Sequence, residues 1–359
     1  MRGEPVRSAR GFVNAHTHIY SGLAPLGLPA PADPPQNFVQ ILGRIWWRLD
    51  RALDERSLAA AARLYVAEAL LFGTTTLIDH HESPNWIDGS LDVIADACHE
   101  LGIRAVLCFG ATERNGGREE ARRGLAECRR FIRANERALV RGAIGLHAPF
   151  TVSDDTIREA GEHCALAGAV LHVHVAEAAV DVEDALVRRY AGPIERLVEL
   201  NGLPRNSIIA HGVHLTAAQV KLADQLGCWI VQNPRSNATN KVGYPRALGC
   251  STRVALGTDG FPSDIRAETA ALVAESAQQG EQPDLVLQRP EAGHALASTF
   301  FKDVGDSCDL GVDGRVERLV IDGRTVVING ELQTGDLEEI RRTAAEAAPV
   351  LWQRMAELS

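Results

Sequence analysis

Two histidines two positions apart, His16 and His18, close the short apolar run Phe12-Val13-Asn14-Ala15. On a strand, residues i and i+2 share a side, so both imidazoles can reach one cation at the strand tip. The same arrangement, an apolar run ending in a polar residue, returns along the whole chain. In order, those ends are His16 and His18, Asp79-His80-His81, Glu113-Arg114, His147, His174 with Glu177, His211, Gln232-Asn233, and Asp259. One core histidine is an ordinary accident, but nothing structural calls for imidazoles at five strand ends. Imidazole and carboxylate together suit a borderline divalent metal that keeps a position open for water. His16, His18, His174 and Asp259 are read as its ligands. His172 shares a side with His174 but lies deeper, which suits a structural role. No lysine ends the fourth strand, where a bridging carbamate would be needed for two ions, so one divalent ion is expected, zinc first and iron as the alternative.

Such residues need a scaffold that brings many strand ends to one face. Apolar runs begin near Phe12, Thr75, Arg104, Ala143, Ala169, Ser207, Cys228 and Arg253, mostly separated by helical patterns. Eight parallel strands with crossover helices over about 250 residues predict an α/β fold, a (β/α)8 TIM-type barrel with its site at the strand C-termini. An open, doubly wound sheet fits less well, because the first strand-to-helix turn has no glycine fingerprint for a dinucleotide. A helix from Asp54 to Phe72 stops at Gly73, a favourable C′ residue. Thr216 and Gln219 form a capping box for another, and a single helix is expected from Val182 to Leu200. The proline-rich stretch 24–35 leaves from the strand end that carries the histidines. Phe38, Ile41, Leu42, Ile45, Trp46 and Leu49 then recur at helical spacing, as a pocket wall or as plain core, with at least one of the Trp46 and Trp47 rings turned elsewhere.

The domain reading is a barrel over 1–300 and an appendage over 301–359. The appendage holds a hairpin turning at Asp322-Gly323 and a last helix capped by Asp336 and bent at Pro349. A formal net charge of -10 argues against nucleic acid or an anionic membrane as the main partner. A small molecule is the natural ligand. Behind Met1-Arg2-Gly3-Glu4-Pro5 no apolar leader core follows, and the most apolar stretch, Leu58 to Ile78, is interrupted by Arg63 and Glu68. Seven scattered cysteines without a Cys-x-x-Cys pair are the usage of a reducing compartment. A cytoplasmic protein is expected.

The same residues resemble a known family. His16-Thr17-His18, Gly145-Leu146-His147-Ala148-Pro149-Phe150, His174-Val175-Ala176-Glu177, Ala210-His211-Gly212-Val213-His214 and Gly257-Thr258-Asp259-Gly260 together are similar to the amidohydrolase superfamily, in particular its mononuclear branch of cytosine, guanine and triazine aminohydrolases. Ile45 to Asp50, Asp79 to Pro84 and Asn233 to Asn237 look most like the SsnA-type aminohydrolases. The resemblance runs from about Phe12 to Asp259. Members of the family usually carry several dozen residues before the His-x-His strand, as part of a small β-sandwich. Only Met1 to Gly11 stand there in this sequence, so a reduced sandwich is expected, with the 318–330 hairpin exposing an edge that a homodimer contact could cover.

The chemistry expected is attack of a metal-activated water on an electrophilic ring carbon. Asp259 and His211 would orient the water, and Glu177 would move a proton to the ring nitrogen and on to the leaving amine. The resemblance implies the same roles. His147 would hydrogen-bond the substrate; Trp46, His80, Glu113 and Arg235 are further candidates for substrate contact, the last three equally for support of the site. The reaction expected is hydrolytic loss of ammonia from a purine, pterin, pyrimidine or triazine amine. Opening of a cyclic amide such as an imidazolone is the alternative, and a silent metal-binding scaffold a third reading.

Overall fold

The computed structural model describes residues 7–302 and 305–358. The Met1 to Pro5 start lies outside them. Eight strands form one parallel path, β2 (Phe12–Thr17), β3 (Thr74–His81), β4 (Arg104–Ala111), β6 (Ile144–Leu146), β7 (Leu171–Val175), β8 (Ile208–His211), β9 (Trp229–Gln232) and β10 (Val254–Leu256). A short segment, β5 (Val140–Gly142), pairs with β4 just before β6. These are the eight runs expected from the sequence. Strands buried on both faces read as continuous apolar stretches, and β3 and β4 are buried at every position.

The path closes between its first and last strands. Thr17 bridges Asp259 in parallel. His18 N donates to Asp259 O at 3.2 Å, and Thr258 N to His16 O at 3.0 Å. Gly257 makes this approach possible, because a Cβ there would stand 2.7 Å from His16 O and 2.8 Å from His16 N. Side chains supply what the short ladder lacks. The Asn14 amide donates to Thr258 Oγ1 at 2.7 Å and to Ser263 Oγ at 3.0 Å, while its carbonyl oxygen accepts from Thr258 N at 3.1 Å. Tyr65 Oη donates to Phe261 O at 3.0 Å and also contacts Thr17 Oγ1. The helix Pro283–Ala297 covers the outside of this seam, with Gly293 close against Val13.

Local signals explain most helix ends. Asp54 and Ser57 form a capping box for Glu55–Leu71, and Gly73 follows with a φ of 85°. Thr216 and Gln219 do the same for Ala217–Gln225. The single helix expected over 182–200 is instead two, Ala179–Val187 and Pro193–Glu199. Gly192 is extended there and Pro193 starts the second helix, a position where its missing N–H costs nothing.

The small sheet has the order β1 (Arg7–Ala9), β11 (Ser307–Leu310), β12 (Val316–Ile321), β13 (Arg324–Ile328) and β14 (Glu331–Leu332). The segment ahead of the barrel thus contributes a strand to the appendage, across the boundary expected at 300. The β12–β13 hairpin turns at Asp322 and Gly323, both with positive φ, as Asp-Gly requires. It is flanked by β11 along β12 and by the two-residue β14 at Val327 and Ile328, so part of the edge on which the expected dimer contact rested is paired within the chain. The last helix, Leu337–Glu357, runs unbroken through Pro349. Arg48 donates to the Met355 and Leu358 carbonyls at 2.9 and 2.8 Å, tying this helix to the wall of the barrel mouth.

Candidate active site

His16 and His18 at the end of β2, His174 at the end of β7 and Asp259 just after β10 bring four ligand atoms within 4.8 Å of one another. Hydrogen bonding sets the tautomers. His18 Nδ1 lies 2.6 Å from His80 O and His174 Nδ1 lies 2.6 Å from His147 O. Carbonyls only accept, so each Nδ1 carries the hydrogen and neutral rings would turn bare Nε2 atoms inward. Those two Nε2 atoms stand 3.2 Å apart. Asp259 Oδ1 is 2.9 Å from His18 Nε2 and 3.6 Å from His16 Nε2, and His16 Nε2 is buried with no hydrogen-bond partner. Converging lone pairs with a carboxylate among them call for a shared electrophile, and three imidazole nitrogens with one carboxylate oxygen fit a divalent ion. Left to protons alone, burial drives His16 down to about 3 despite Asp259. Burial also works to lower His18, but Asp259 overrides it and raises that ring to about 10. His172 Nε2 sits 2.9 Å from His16 Nδ1 and orients that ring, the supporting place its depth suggested.

Beside this cluster stands a second one, Glu177, His211 and Asp259. His211 Nδ1 donates to Asn237 Oδ1 at 2.9 Å, leaving Nε2 facing Glu177 Oε2 at 3.5 Å and Asp259 Oδ2 at 3.9 Å. Asn240 Nδ2 donates to Glu177 Oε1 at 3.2 Å, and Ser236 Oγ donates to Asp259 Oδ2. Burial pushes Glu177 up to about 7. It also works to raise Asp259, but His16 and His18 outweigh it and hold that carboxylate well below its usual range. Ala176, His211 and Asp259 all have positive φ, 52°, 73° and 53°. Non-glycine residues in that region cost energy and tend to cluster where geometry serves function.

A cavity with about 630 Å³ of empty space, counting its open mouth, lies over both clusters. One wall comes from the helical stretch 38–52, which passes through a π turn at Leu42–Trp46. A π turn adds a residue to one turn and rotates the face that later turns present. Phe38, Leu42, Trp46 and Trp47 all line the cavity, so neither tryptophan turns away as the helical spacing had implied. Arg114 backs the Trp47 ring at 4.7 Å and pairs with buried Asp50 at 2.8 Å.

Of the other expected site residues, Trp46 and His147 line the cavity and three do not. His80 is buried behind the wall, with Nε2 donating to Leu146 O at 3.0 Å and Nδ1 2.9 Å from Glu82 Oε1. Glu113 accepts from Ser153 N and Oγ at 2.9 and 2.6 Å and from Thr156 Oγ1 at 2.5 Å, so it fastens the start of helix Asp154–Ala167. Arg235 is paired with buried Glu268 and donates to Pro262 O at 2.9 Å. These three side chains are spent on protein partners and stay off the cavity wall, which fits support of the site, one of the two roles read for them, and speaks against substrate contact. Tyr20, Glu82, Trp47, Phe150 and Asn240 line the cavity and were not among the expected site residues. The signal for Asn240 was present: Ser236, Asn237 and Asn240 follow a strand end on one short helix, at spacings that share a face.

The sequence profile described as the amidohydrolase family matches residues 11–297. A 5-methylthioadenosine/S-adenosylhomocysteine deaminase of Moorella thermoacetica is 27% identical over 376 residues, covering 92% of this chain and 84% of that protein. An 8-oxoguanine deaminase of Pseudomonas aeruginosa is 30% identical over 301 residues, 79% of this chain and 64% of the relative. Among solved structures, an adenosine deaminase from Xanthomonas campestris with bound zinc superposes with a TM-score of 0.80 at 22% identity, covering 98% of this chain and 87% of that one. The zinc complex of an atrazine chlorohydrolase from Arthrobacter aurescens gives 0.79 at 19% identity, with coverage of 95% and 88%.

Proposed function

This chain belongs to the amidohydrolase family, and from that premise we propose that it is a metal-dependent aminohydrolase acting on an amino-substituted nitrogen heterocycle. Water adds to the ring carbon, the carbon–nitrogen bond to the amine breaks, and ammonia leaves as the carbonyl product forms. The observation that carries this reading is the four-ligand cluster with Glu177 beside it under one cavity. Relatives named as deaminases of adenine- and guanine-type compounds support it.

His16, His18, His174 and Asp259 would hold one divalent ion, with zinc proposed from the two zinc-bearing structural neighbours. When bound, such an ion acts as a Lewis acid and lowers the pKa of water at neutral pH. The chain's own residues do the rest. His211 Nε2 and Asp259 Oδ2 accept hydrogen bonds from the incoming water and aim it. Glu177, poised near 7 by burial, takes one proton of the water at Oε2 and gives it to the ring nitrogen, then takes the proton of the hydroxyl now on the ring carbon and gives it to the departing amine. Trp46 and Trp47 pack against the heterocycle, and His147 hydrogen-bonds it. A homodimer and a cytoplasmic location, expected from the sequence, belong to the same proposal; light scattering and cell fractionation test them.

The decisive assay is ammonia release by zinc-loaded protein from a panel of amino-purines, pterins, pyrimidines and triazines. Turnover of at least one class is expected. Silence across the amines with opening of a cyclic amide would replace this reading with the ring-opening one.

A further inference from the structure

Beside the cavity over the two clusters lies a second, more open one, a groove with about 1150 Å³ of empty space counting its mouth. Phe38, Ala178 and Asn240 line both, so the two compartments share a wall. Their charges are opposite. Glu82, Glu177, Asp181 and Asp259 line the inner cavity, and among the described residues no lysine or arginine does. The groove takes in Lys241 and His214 and, among the described residues, no carboxylate. Val39, Ile41 and Val242 give it apolar surface as well.

Lys241 sits where the backbone prefers glycine. Helix Pro234–Thr239 has Asn240 as its C-cap, and beyond it Lys241 N donates to Ala238 O and Val242 N to Asn237 O, both at 3.1 Å. That pair of bonds is a Schellman motif, whose C′ residue is left-handed and usually glycine. Lys241 takes that place with a φ of 55°. A long side chain in this region costs energy, and such strain gathers where a side chain serves function. Other side chains of the same turn already serve the site, since Asn237 accepts from His211 and Asn240 donates to Glu177. Among the described residues no carboxylate pairs with the Lys241 ammonium, which leaves its charge to a ligand.

We propose that the groove binds an anionic arm of the substrate, a short aliphatic chain ending in a carboxylate that pairs with Lys241, while the amino-substituted ring enters the inner cavity. The inner carboxylates disfavour such a terminus and Lys241 attracts it, so the charge contrast decides which end goes in first. One cation suits one negative charge. A phosphate, with nearly two charges and three strong acceptor oxygens, asks for more than a single lysine supplies. The proposal rests on the aminohydrolase reading for which end of the substrate reacts, and its own readout is binding.

The test uses probes that share a ring and differ only at the end of the arm: 9-(2-carboxyethyl)adenine, its carboxamide and the corresponding phosphonate, with the same three arms on one amino nitrogen of melamine. Calorimetry with zinc-loaded protein should show the carboxylate bound at least about fivefold more tightly than the carboxamide in at least one ring series, between the effect of an exposed ion pair and that of a charge-assisted hydrogen bond. Salt at about 1 M should shrink that preference. Lys241→Met, which keeps the length and removes the charge, should bring the ratio close to unity, with the change in turnover falling mainly on KM. Lys241→Gly should lose the same preference without lowering the thermal midpoint, because glycine suits the left-handed position. Equal binding of carboxylate and carboxamide in both series, or binding of neither, overturns the proposal. So does a preference that survives Lys241→Met, which would come from the metal, and tighter binding of the phosphonate overturns the choice of a carboxylate. Ammonia release from the unsubstituted rings without a carboxylate preference would remove this inference and keep the aminohydrolase reading. A carboxylate preference that Lys241→Met abolishes, with no ammonia from any amine, would do the reverse.

Discussion

The two sides of the barrel are built differently. Between β3 and β4 the register runs without a break through six pairs, from Thr76 opposite Arg104 to His81 opposite Phe109. Between β2 and β10 there is one isolated bridge, at Thr17 and Asp259, eased by Gly257 and braced by Asn14, Tyr65 and Thr258. The regular wall is held by a continuous ladder, and the sparse seam carries His16, His18 and Asp259. A long ladder would fix the backbone in extended geometry. A short one leaves Asp259 free to take the positive φ that aims its carboxylate at the histidines. Regularity serves stability in one region, and its absence serves chemistry in the other.

This contrast can be broken from either side. The largest effect belongs to the seam: Asp259→Ala should abolish bound metal on elemental analysis and ammonia release with it, and unchanged stoichiometry would refute the ligand assignment. Glu177→Gln should keep the metal and lower kcat by about 10²–10⁴. Because burial raises this carboxyl to about 7, it holds its proton below that pH and can accept one above it. The pH profile of kcat/KM should therefore climb as pH rises through about 7, and Glu177→Gln should flatten that limb. In the regular wall, Ile78→Ala removes a fully buried side chain and should cost about 2–5 kcal/mol in denaturant unfolding while metal content stays constant. Gly257→Ala, which presses a Cβ on His16, should cost about 1–3 kcal/mol and weaken metal affinity measurably. Equal metal loss from Ile78→Ala and Gly257→Ala would dissolve the distinction.

Much of this was readable because parallel strands buried on both faces cannot hide their composition. An apolar run ending in histidine announces both the strand and the end at which its polar residues gather, so the eight strands and the convergence of His16, His18, His174 and Asp259 are legible from the chain alone. The charged strand-end residues were less transparent. The partners of Glu113 and Arg235 come from helices more than thirty positions away, and only tertiary packing decides whether such a charge faces a ligand or a neighbouring helix. The break at Gly192-Pro193 was legible and outweighed by the apolar spacing around it. The π turn at 42–46 was not, since one inserted residue leaves a pattern that an ordinary helix also fits. Asn14 reads in sequence as a polar interruption of a strand, and its value as a brace appears only when Thr258 arrives beside it.

That last pairing also bears on how the molecule is made. Asn14 and Thr258 are 244 positions apart, and the ligand set has the same reach along the chain. A nascent chain that has released its first strand holds only His16 and His18, a weak pair with no carboxylate. His174 joins midway, and Asp259 only when the eighth strand has left the ribosome. Contacts between such distant segments form late, because closing the intervening loop costs entropy that no local contact offsets. Tight capture of an ion by the proposed ligand set would thus be deferred until the barrel is nearly complete, and the ion would arrive as the final fastener of a finished wall.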